Sequence, residues 1–157
     1  MPQWSVVTEE QASPSTLSHL TPNLPAFTAQ YPIIISDDDP QIIRLYQMIL
    51  DRHHLHSMAS PTSQGALDLA HHHTASLIIS DMMKPYMSGM DLLRSLRSES
   101  RTLHTPFMMI TATPRPELRA EFATLGGDVF RAKPIDLREF ITLVTKLLQH
   151  QPVTVRA

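Results

Sequence analysis

The sequence predicts an α/β domain of three layers, in which five parallel strands alternate with five helices. Short apolar runs recur along the chain, and amphipathic stretches long enough to form helices separate them. Four of the runs lead into polar residues, first Asp37 and Asp38, then Asp81, Thr111 and Lys133. Because the carboxyl ends of parallel strands lie at the same edge of a sheet, these side chains are expected to form one site.

The first strand and helix have the clearest boundaries. The strand is predicted at residues 33–35, which are three consecutive isoleucines. Asp39 followed by Pro40 fits a helix N-cap residue with proline at the first helical position. The apolar residues that follow recur at the spacing of a helical core stripe and are Ile42, Leu45, Tyr46 and Ile49.

The middle of the chain contains two further strands and helices. A weak second strand is predicted at residues 55–59, and a helix at residues 63–72. The third strand is predicted at residues 77–80. A third helix is expected to begin near Gly89, with an apolar stripe that consists of Met90, Leu93 and Leu96.

The last two strands and helices complete the alternation. The fourth strand is predicted at residues 107–110 and the fifth at residues 128–131. Gly126 and Gly127 fit a C-cap pair that stops the fourth helix. The apolar stripes are Leu118, Phe122 and Leu125 in the fourth helix, and Leu137, Phe140, Ile141, Val144 and Leu148 in the fifth.

The chain divides into a folded domain at residues 31–149 and two flanking segments. Residues 1–30 contain four prolines, many serines and threonines and no sustained periodicity, which predicts a disordered or loosely ordered N-terminal arm. A docking segment and an extra strand are open alternatives for this arm. Residues 150–157 are predicted to be a C-terminal tail.

Composition limits the class of protein. The 157 residues fit one domain, and a hydrophobic content of 42% with 18% charged residues is ordinary for a globular protein. From residue 31 onward, 13 acidic residues balance 13 basic residues, which argues against a nucleic-acid partner or a polybasic membrane patch. The absence of cysteine excludes disulfides and thiolate metal sites.

The sequence contains no signal for a membrane protein. No apolar run approaches the roughly 18 residues that a membrane-spanning helix requires. The first 30 residues lack lysine, arginine and an apolar core, so they do not resemble a secretory signal. We therefore expect a cytoplasmic protein without a membrane partner.

The clustered acidic residues require a positive partner. Two carboxylates about 4 Å apart repel by about 4 kcal/mol at an effective dielectric constant of about 20. A raised pKa, an ion pair or a divalent cation relieves such repulsion, and an open oxygen-rich site suits Mg²⁺. Lys133 supplies a positive charge and Thr111 a hydroxyl donor, so the set contains the parts needed for phosphoryl transfer. A carboxylate nucleophile would form an aspartyl phosphate.

Four segments carry these residues. They are IIISDDDP at residues 33–40, LIISDMMKPYMSG at residues 77–89, ITA at residues 110–112 and FRAKP at residues 130–134. Together the segments resemble the response-regulator receiver family of two-component signalling, over about residues 31–149. The spacing also fits, with 43 residues from Asp38 to Asp81, 30 from there to Thr111 and 22 from there to Lys133. The resemblance implies a CheY-like, flavodoxin-like fold with strand order 2-1-3-4-5.

The resemblance implies a role for each acidic residue. Asp81 matches the phosphoacceptor, which takes a phosphoryl group from the phosphohistidine of a partner. Asp38 matches a direct ligand of Mg²⁺, and Asp37 matches a ligand that often acts through water. Met83 matches the residue that offers its backbone carbonyl to the metal.

The resemblance also implies a switch. Thr111 and Lys133 match the residues that hold the phosphoryl oxygens, and Phe130 matches the family's switch aromatic, three residues before Lys133. The phosphoryl group would bias a two-state domain through Thr111 and Phe130. A homodimer through the fourth helix, the fifth strand and the fifth helix is a further expectation from the same resemblance.

Three residues depart from the family pattern. Ser36 and Ser80 stand directly before the acidic residues, where the family usually has apolar residues, and Lys84 replaces a common methionine. None of these changes removes a chemical part of the site, so we expect a receiver that can be phosphorylated. The effect of the charge on Lys84 is left open.

The leading function is a signalling switch. About eight residues follow the fifth helix, which predicts a stand-alone receiver without an output domain. Its expected partners are a sensor histidine kinase or a histidine phosphotransfer protein, and a downstream protein target. Such a receiver catalyses only its own phosphorylation and dephosphorylation. The alternative is an aspartate-nucleophile phosphatase of similar fold, in which the nucleophile follows the first strand.

Overall fold

The structure is a computed structural model and describes residues 30–150. The N-terminal arm predicted for residues 1–30 and the C-terminal tail predicted for residues 150–157 lie outside the described residues, apart from Gln30 and His150. The boundaries of the folded domain therefore stay a prediction.

Five strands and five helices alternate along the described chain, as predicted. The strands are β1 (Ile33–Ser36), β2 (Ser57–Ser60), β3 (Leu77–Ser80), β4 (Phe107–Thr111) and β5 (Val129–Ala132). The helices are α1 (Pro40–Arg52), α2 (Ser63–His72), α3 (Gly89–Arg97), α4 (Pro116–Thr124) and α5 (Leu137–Gln149). The two longest of these helices have 13 residues, and none between residues 30 and 150 is long and apolar enough to cross a membrane.

The strands form one parallel sheet in the order β2-β1-β3-β4-β5, which confirms the predicted fold. The chain reverses its direction of travel across the sheet between β1 and β3, and these two strands are neighbours. In register, Ile35 pairs with Ile79 and Ser36 pairs with Ser80. The residues that follow β1 and β3 therefore flank the crevice at the topological switch point, where ligands bind in open α/β sheets.

Two apolar clusters fill the space between the sheet and the helices. On one face, Ile34 packs with residues of α2, α3 and α4. On the other face, Ile33 and Ile35 pack with α1 and α5, where the rings of Tyr46 and Phe140 stack with centroids 4.5 Å apart. Since helices cover both faces, consecutive residues of β1 are all buried, which explains why this strand lacks a polar–apolar alternation.

The chain between α1 and β2 differs from the sequence prediction. His54 has a φ of +56°, and the Leu55 N–H donates to the Leu50 carbonyl at 3.0 Å. These features belong to a Schellman motif, in which a residue of left-handed conformation, usually glycine, follows the helix. The predicted second strand is present, but its predicted start at residue 55 was wrong, because Leu55 closes the helix and β2 begins at Ser57.

The glycine pair after α4 ends the helix as predicted. Gly126 has a φ of +84°, and the Gly127 N–H donates to the Phe122 carbonyl at 2.9 Å. A Cβ atom at Gly127 would lie 2.2 Å from the Phe122 ring, so the second glycine permits the turn to pack closely. The strand begins one residue later than predicted, because the Asp128 carboxylate accepts the Phe107 N–H at 2.9 Å and closes the turn.

Candidate functional site

The acidic residues predicted to cluster do so at the carboxyl ends of β1 and β3. One carboxylate oxygen from each of Asp37, Asp38 and Asp81 lies within 4.8 Å of the others. Asp37 and Asp81 are buried, at 3% and 8% exposure, whereas Asp38 is exposed. The cluster therefore has a buried floor and one side that is open to solvent.

Backbone hydrogen bonds hold the two acidic strand ends in place. The Asp81 N–H donates to the Ser36 carbonyl at 2.9 Å, which continues the pairing of β1 with β3 beyond the strands. The Asp37 carboxylate accepts the Asp39 N–H at 2.9 Å, and Asp39 in turn caps α1 by accepting the Gln41 N–H. The helix cap predicted from the sequence is confirmed, and it fixes the loop that presents the acidic pair.

Gly89 permits α3 to approach the phosphoacceptor candidate. A Cβ atom at this position would lie 2.3 Å from the Asp81 carbonyl oxygen and 2.9 Å from the Met109 side chain. The backbone oxygen cannot move away as a flexible side chain would. The start of α3 is therefore packed directly against the backbone of Asp81, which only glycine allows.

Lys133 joins the acidic cluster from the end of β5. Its Nζ atom lies 2.7 Å from Oδ2 of Asp37 and 3.3 Å from Oδ2 of Asp81. The Lys133 N–H also donates to the Thr111 carbonyl at 2.8 Å, which anchors the residue beside β4. Burial alone would lower the pKa of Lys133, but the hydrogen bond to Asp37 and the charges of Asp37 and Asp81 raise it. The ammonium group is thus charged and bridges the two buried carboxylates.

Thr111 lies at the predicted place, but its hydroxyl is engaged elsewhere. The residue is fully buried at the end of β4, next to β3. Its Oγ1 atom accepts the Thr113 N–H at 3.1 Å and lies 3.2 Å from the Thr113 hydroxyl oxygen. Within residues 30–150, no hydrogen bond joins this hydroxyl to the acidic cluster. It would have to leave its own turn to reach a group bound at Asp81.

Phe130, the proposed switch aromatic, is buried with 4% exposure. Its ring lies 5.4 Å from the Phe122 ring, measured between centroids. The guanidinium group of Arg119 covers it at 5.1 Å from the ring centroid. In this structure the ring of Phe130 therefore points into the fold and packs against α4.

Met83 occupies the loop between β3 and α3. Its side chain is 60% exposed, while that of its neighbour Met82 is buried at 3%. The Met83 N–H faces Oδ1 of Asp81 at 3.4 Å, so this stretch of backbone borders the acidic cluster. The role of its carbonyl as a metal ligand stays a prediction.

The environment of Lys84 was not predicted from the sequence. This lysine is buried at 9% exposure, and its Nζ atom donates to Oγ of Ser80 at 2.9 Å and to Oγ of Ser36. In the sequence, Ser36, Ser80 and Lys84 are three separate departures from the family pattern. The signal that could have joined them is register, because Ser36 and Ser80 are paired residues on neighbouring strands.

The residues present fit a hard divalent cation. The three carboxylates supply oxygen ligands, and Mg²⁺ is held in proteins by few carboxylates together with water and phosphate oxygens. Lys133 contacts both Asp37 and Asp81, but Asp37 is held more closely, at 2.7 Å against 3.3 Å, and also accepts the Asp39 N–H. The exposed Asp38 carboxylate makes no hydrogen bond within the described chain. Asp38 and Asp81 are therefore the side chains best placed to hold Mg²⁺, with the Met83 carbonyl as a third candidate.

Comparison with known proteins agrees with this geometry. The family model for the response regulator receiver domain matches residues 33–145. The chain is 30% identical over 122 residues to the "Probable transcriptional regulatory protein TcrX" of Mycobacterium tuberculosis, covering 78% of this chain and 51% of that protein. It is 32% identical over 122 residues to the "Transcriptional regulatory protein SrrA" of Staphylococcus aureus, covering 78% and 49%. The chain thus spans about half the length of these relatives.

Solved structures show the same fold. Chemotaxis protein CheY4 of Vibrio cholerae superposes with a TM-score of 0.71 at 22% identity, covering 74% of this chain and 98% of that one. The receiver domain of the Francisella response regulator 1452 superposes with a TM-score of 0.70 at 25% identity, covering 76% and 97%. With the family match and the acidic cluster at the ends of β1 and β3, these comparisons show that the chain belongs to the response-regulator receiver family of two-component signalling.

Proposed function

We propose that this receiver accepts a phosphoryl group on Asp81 from the phosphohistidine of a sensor histidine kinase or of a histidine phosphotransfer protein. The observation that carries the proposal is the position of Asp81, which lies beside the acidic pair and within 3.3 Å of Lys133. The negative charge that the phosphoryl group adds at Asp81 would then alter the contacts that the domain makes with a downstream protein target.

Each group has a task in the proposed reaction. A carboxylate oxygen of Asp81 attacks the phosphorus atom, and the bond from phosphorus to the donor imidazole nitrogen breaks as the new P–O bond forms. Mg²⁺ held by Asp38, Asp81 and the Met83 carbonyl would neutralise the charge on the phosphoryl oxygens. Lys133 already contacts Asp81 and can donate to a phosphoryl oxygen without a large movement.

The alternative of an aspartate-nucleophile phosphatase has less support. Its nucleophile would follow β1, where Asp37 is the buried carboxylate. Asp37 is engaged by Lys133 at 2.7 Å and by the Asp39 N–H at 2.9 Å, and Asp39 caps α1. An assay with p-nitrophenyl phosphate separates the two, because the proposed receiver does not turn over a phosphate monoester while a phosphatase does.

Several finer expectations belong to this proposal. They are a stand-alone output through protein contact, the absence of a nucleic-acid partner, a homodimer through α4, β5 and α5, and a cytoplasmic location. The balanced charge of residues 31–157 supports the second of them. The matched 122 residues make up 51% and 49% of the two relatives named above, which are described as transcriptional regulators, so the stand-alone output stays a prediction.

Phosphorylation mapping tests the proposal. The protein is treated with acetyl phosphate and MgCl₂, and the acyl phosphate is trapped chemically and located by mass spectrometry. We expect one modified residue, Asp81, and loss of the label in Asp81→Asn. Asp68→Asn serves as the matched control, because Asp68 is an exposed carboxylate on α2. Survival of the full label in Asp81→Asn would contradict the assignment.

A further inference from the structure

Lys84 is a buried cation beneath the acidic cluster that the proposed phosphotransfer does not use. Its Nζ atom donates to three oxygens, namely Oγ of Ser80 at 2.9 Å, Oγ of Ser36 and the Ser36 carbonyl at 3.5 Å. An ammonium group has three protons to donate, so these contacts satisfy its hydrogen bonding. Residues 36, 80 and 84 therefore form one buried polar site whose members bond to one another.

The charge on Lys84 is not cancelled by an ion pair. In the described part of the chain, no carboxylate oxygen lies within 4.0 Å of its Nζ atom. Its Nζ atom donates to three oxygens, which matches the three protons of an ammonium group. The carboxylates of Asp37, Asp38 and Asp81 are the negative charges that act on this cation.

Two serines are matched to this charge. Ser36 and Ser80 are the last residues of β1 and β3 and are paired in register, so both hydroxyls reach one point between the strands. Both residues are at most 1% exposed. A methionine at residue 84 would give these buried hydroxyls no ammonium to bond. The three side chains therefore form one unit, built to keep a cation at this point.

The unit changes the charge of the metal site. Three carboxylates with the ammonium groups of Lys133 and Lys84 have a formal charge of −1, whereas methionine at residue 84 would leave −2. We propose that Lys84 is a built-in counter-ion of the acidic cluster that lowers its affinity for Mg²⁺, and that Ser36 and Ser80 hold it there. This inference rests on the proposed Mg²⁺ site and adds a determinant of its affinity.

Magnesium titration tests the inference without any phosphodonor. MgCl₂ alone is titrated into the wild type, Lys84→Met and Lys146→Met at neutral pH, with calorimetry and backbone amide shifts as readouts. We expect Lys84→Met to bind Mg²⁺ about ten-fold more tightly or better, because one unit of positive charge near the ion has been removed. Lys146→Met removes the same charge from the exposed last turn of α5 and should leave the affinity unchanged.

Two further variants keep the outcomes distinct. Equal affinity of wild type and Lys84→Met, with binding abolished in Asp38→Ala, would overturn the inference and leave the proposed function intact. No binding to the wild type or to Lys84→Met would overturn both. If Lys84→Met does not fold, Lys84→Gln replaces it, with the same expected direction.

A second measurement addresses the hydroxyl of Ser36. Ser36→Ala is made in the wild type and in Lys84→Met, and the free energy of unfolding is measured for all four proteins. Ser36→Ala should raise the unfolding constant in both proteins, and we expect the increase to be several-fold larger when Lys84 is present. Only in that background does the substitution remove a hydrogen-bond partner of a buried charge. Equal effects of Ser36→Ala in both backgrounds would contradict the role of Ser36 in holding Lys84.

Discussion

The guanidinium carbon of Arg119 lies 5.1 Å from the centroid of the Phe130 ring, so a charged residue of α4 covers the proposed switch aromatic of β5. Phe122 contacts the same ring from within the fold, at 5.4 Å between centroids. Phe130 is therefore held between an exposed cation and the core. Lys133 follows Phe130 by three residues, so the end of β5 connects this packing to the acidic cluster.

We predict that a phosphoryl group at Asp81 changes the environment of residues 111–135. The Thr111 hydroxyl must leave Thr113 to reach the phosphoryl oxygens, which would disturb the turn before α4 and the packing of Phe130. Beryllofluoride with Mg²⁺ imitates the acyl phosphate, and amide shifts report the response. Asp81→Asn is the control and should show no change. Shifts confined to the surroundings of Asp81 in the wild type would contradict this switch.

The sequence was sufficient to predict four of the five strands to within one residue, and to predict that Asp37, Asp38 and Asp81 cluster. Apolar runs such as residues 33–35 need helices on both faces, and the edge where parallel strands end is set by topology. The unit of Lys84, Ser36 and Ser80 depends on the register of β1 with β3, which no local pattern contains. The left-handed His54 could not be predicted either, since that conformation usually belongs to glycine.

The position of Lys133 predicts that it stabilises the fold when Mg²⁺ is absent. Lys133→Met would leave the buried carboxylates of Asp37 and Asp81 without their cation and should lower the free energy of unfolding by about 3 kcal/mol. Urea denaturation in the presence of a chelator measures this loss, and Lys146→Met is the control. MgCl₂ should restore more stability to Lys133→Met than it adds to the wild type. An equal gain in both proteins would show that the ion and Lys133 do not compensate the same charges.

The buried Lys84 predicts a dependence of stability on pH. Its pKa is lowered to about 8 in the folded state by burial, from 10.5 in the unfolded chain, so between these pH values the unfolded state binds more protons at this residue. Stability therefore rises with pH across that window, by on the order of 3 kcal/mol, and the cost of the buried charge is fully present below it.

Lys84→Met provides the reference for this measurement. The groups that act on Lys84, namely Asp37, Asp38, Asp81 and Lys133, are present in both proteins, so their own titration largely cancels. Denaturation of both proteins with a chelator, over a series of pH values, gives the difference in the free energy of unfolding. That difference should shift in favour of the wild type as the pH rises from about 8. A constant difference would contradict the burial of a charged lysine.

Met83 and Thr113 predict a long-lived phosphorylated state. Met83 stands two residues after Asp81 with a side chain that is 60% exposed, and it offers no group that orients an attacking water. The Thr113 side chain is short, and its hydroxyl oxygen lies 3.2 Å from that of Thr111. With both positions unable to place water, we expect the acyl phosphate to last for minutes or longer.

Met83→Asn should shorten this lifetime. The introduced amide can orient a water molecule beside the acyl phosphate. Loss of such positioning costs on the order of 10²-fold in rate, so we expect the introduced amide to make the acyl phosphate decay faster. Decay of phosphorylated protein after removal of acetyl phosphate measures the effect. Tyr86→Asn is the matched control, because Tyr86 is fully exposed in the same loop and its φ of +69° suits asparagine. A wild type that decays within seconds, with Met83→Asn no faster, would show that water reaches Asp81 by another route.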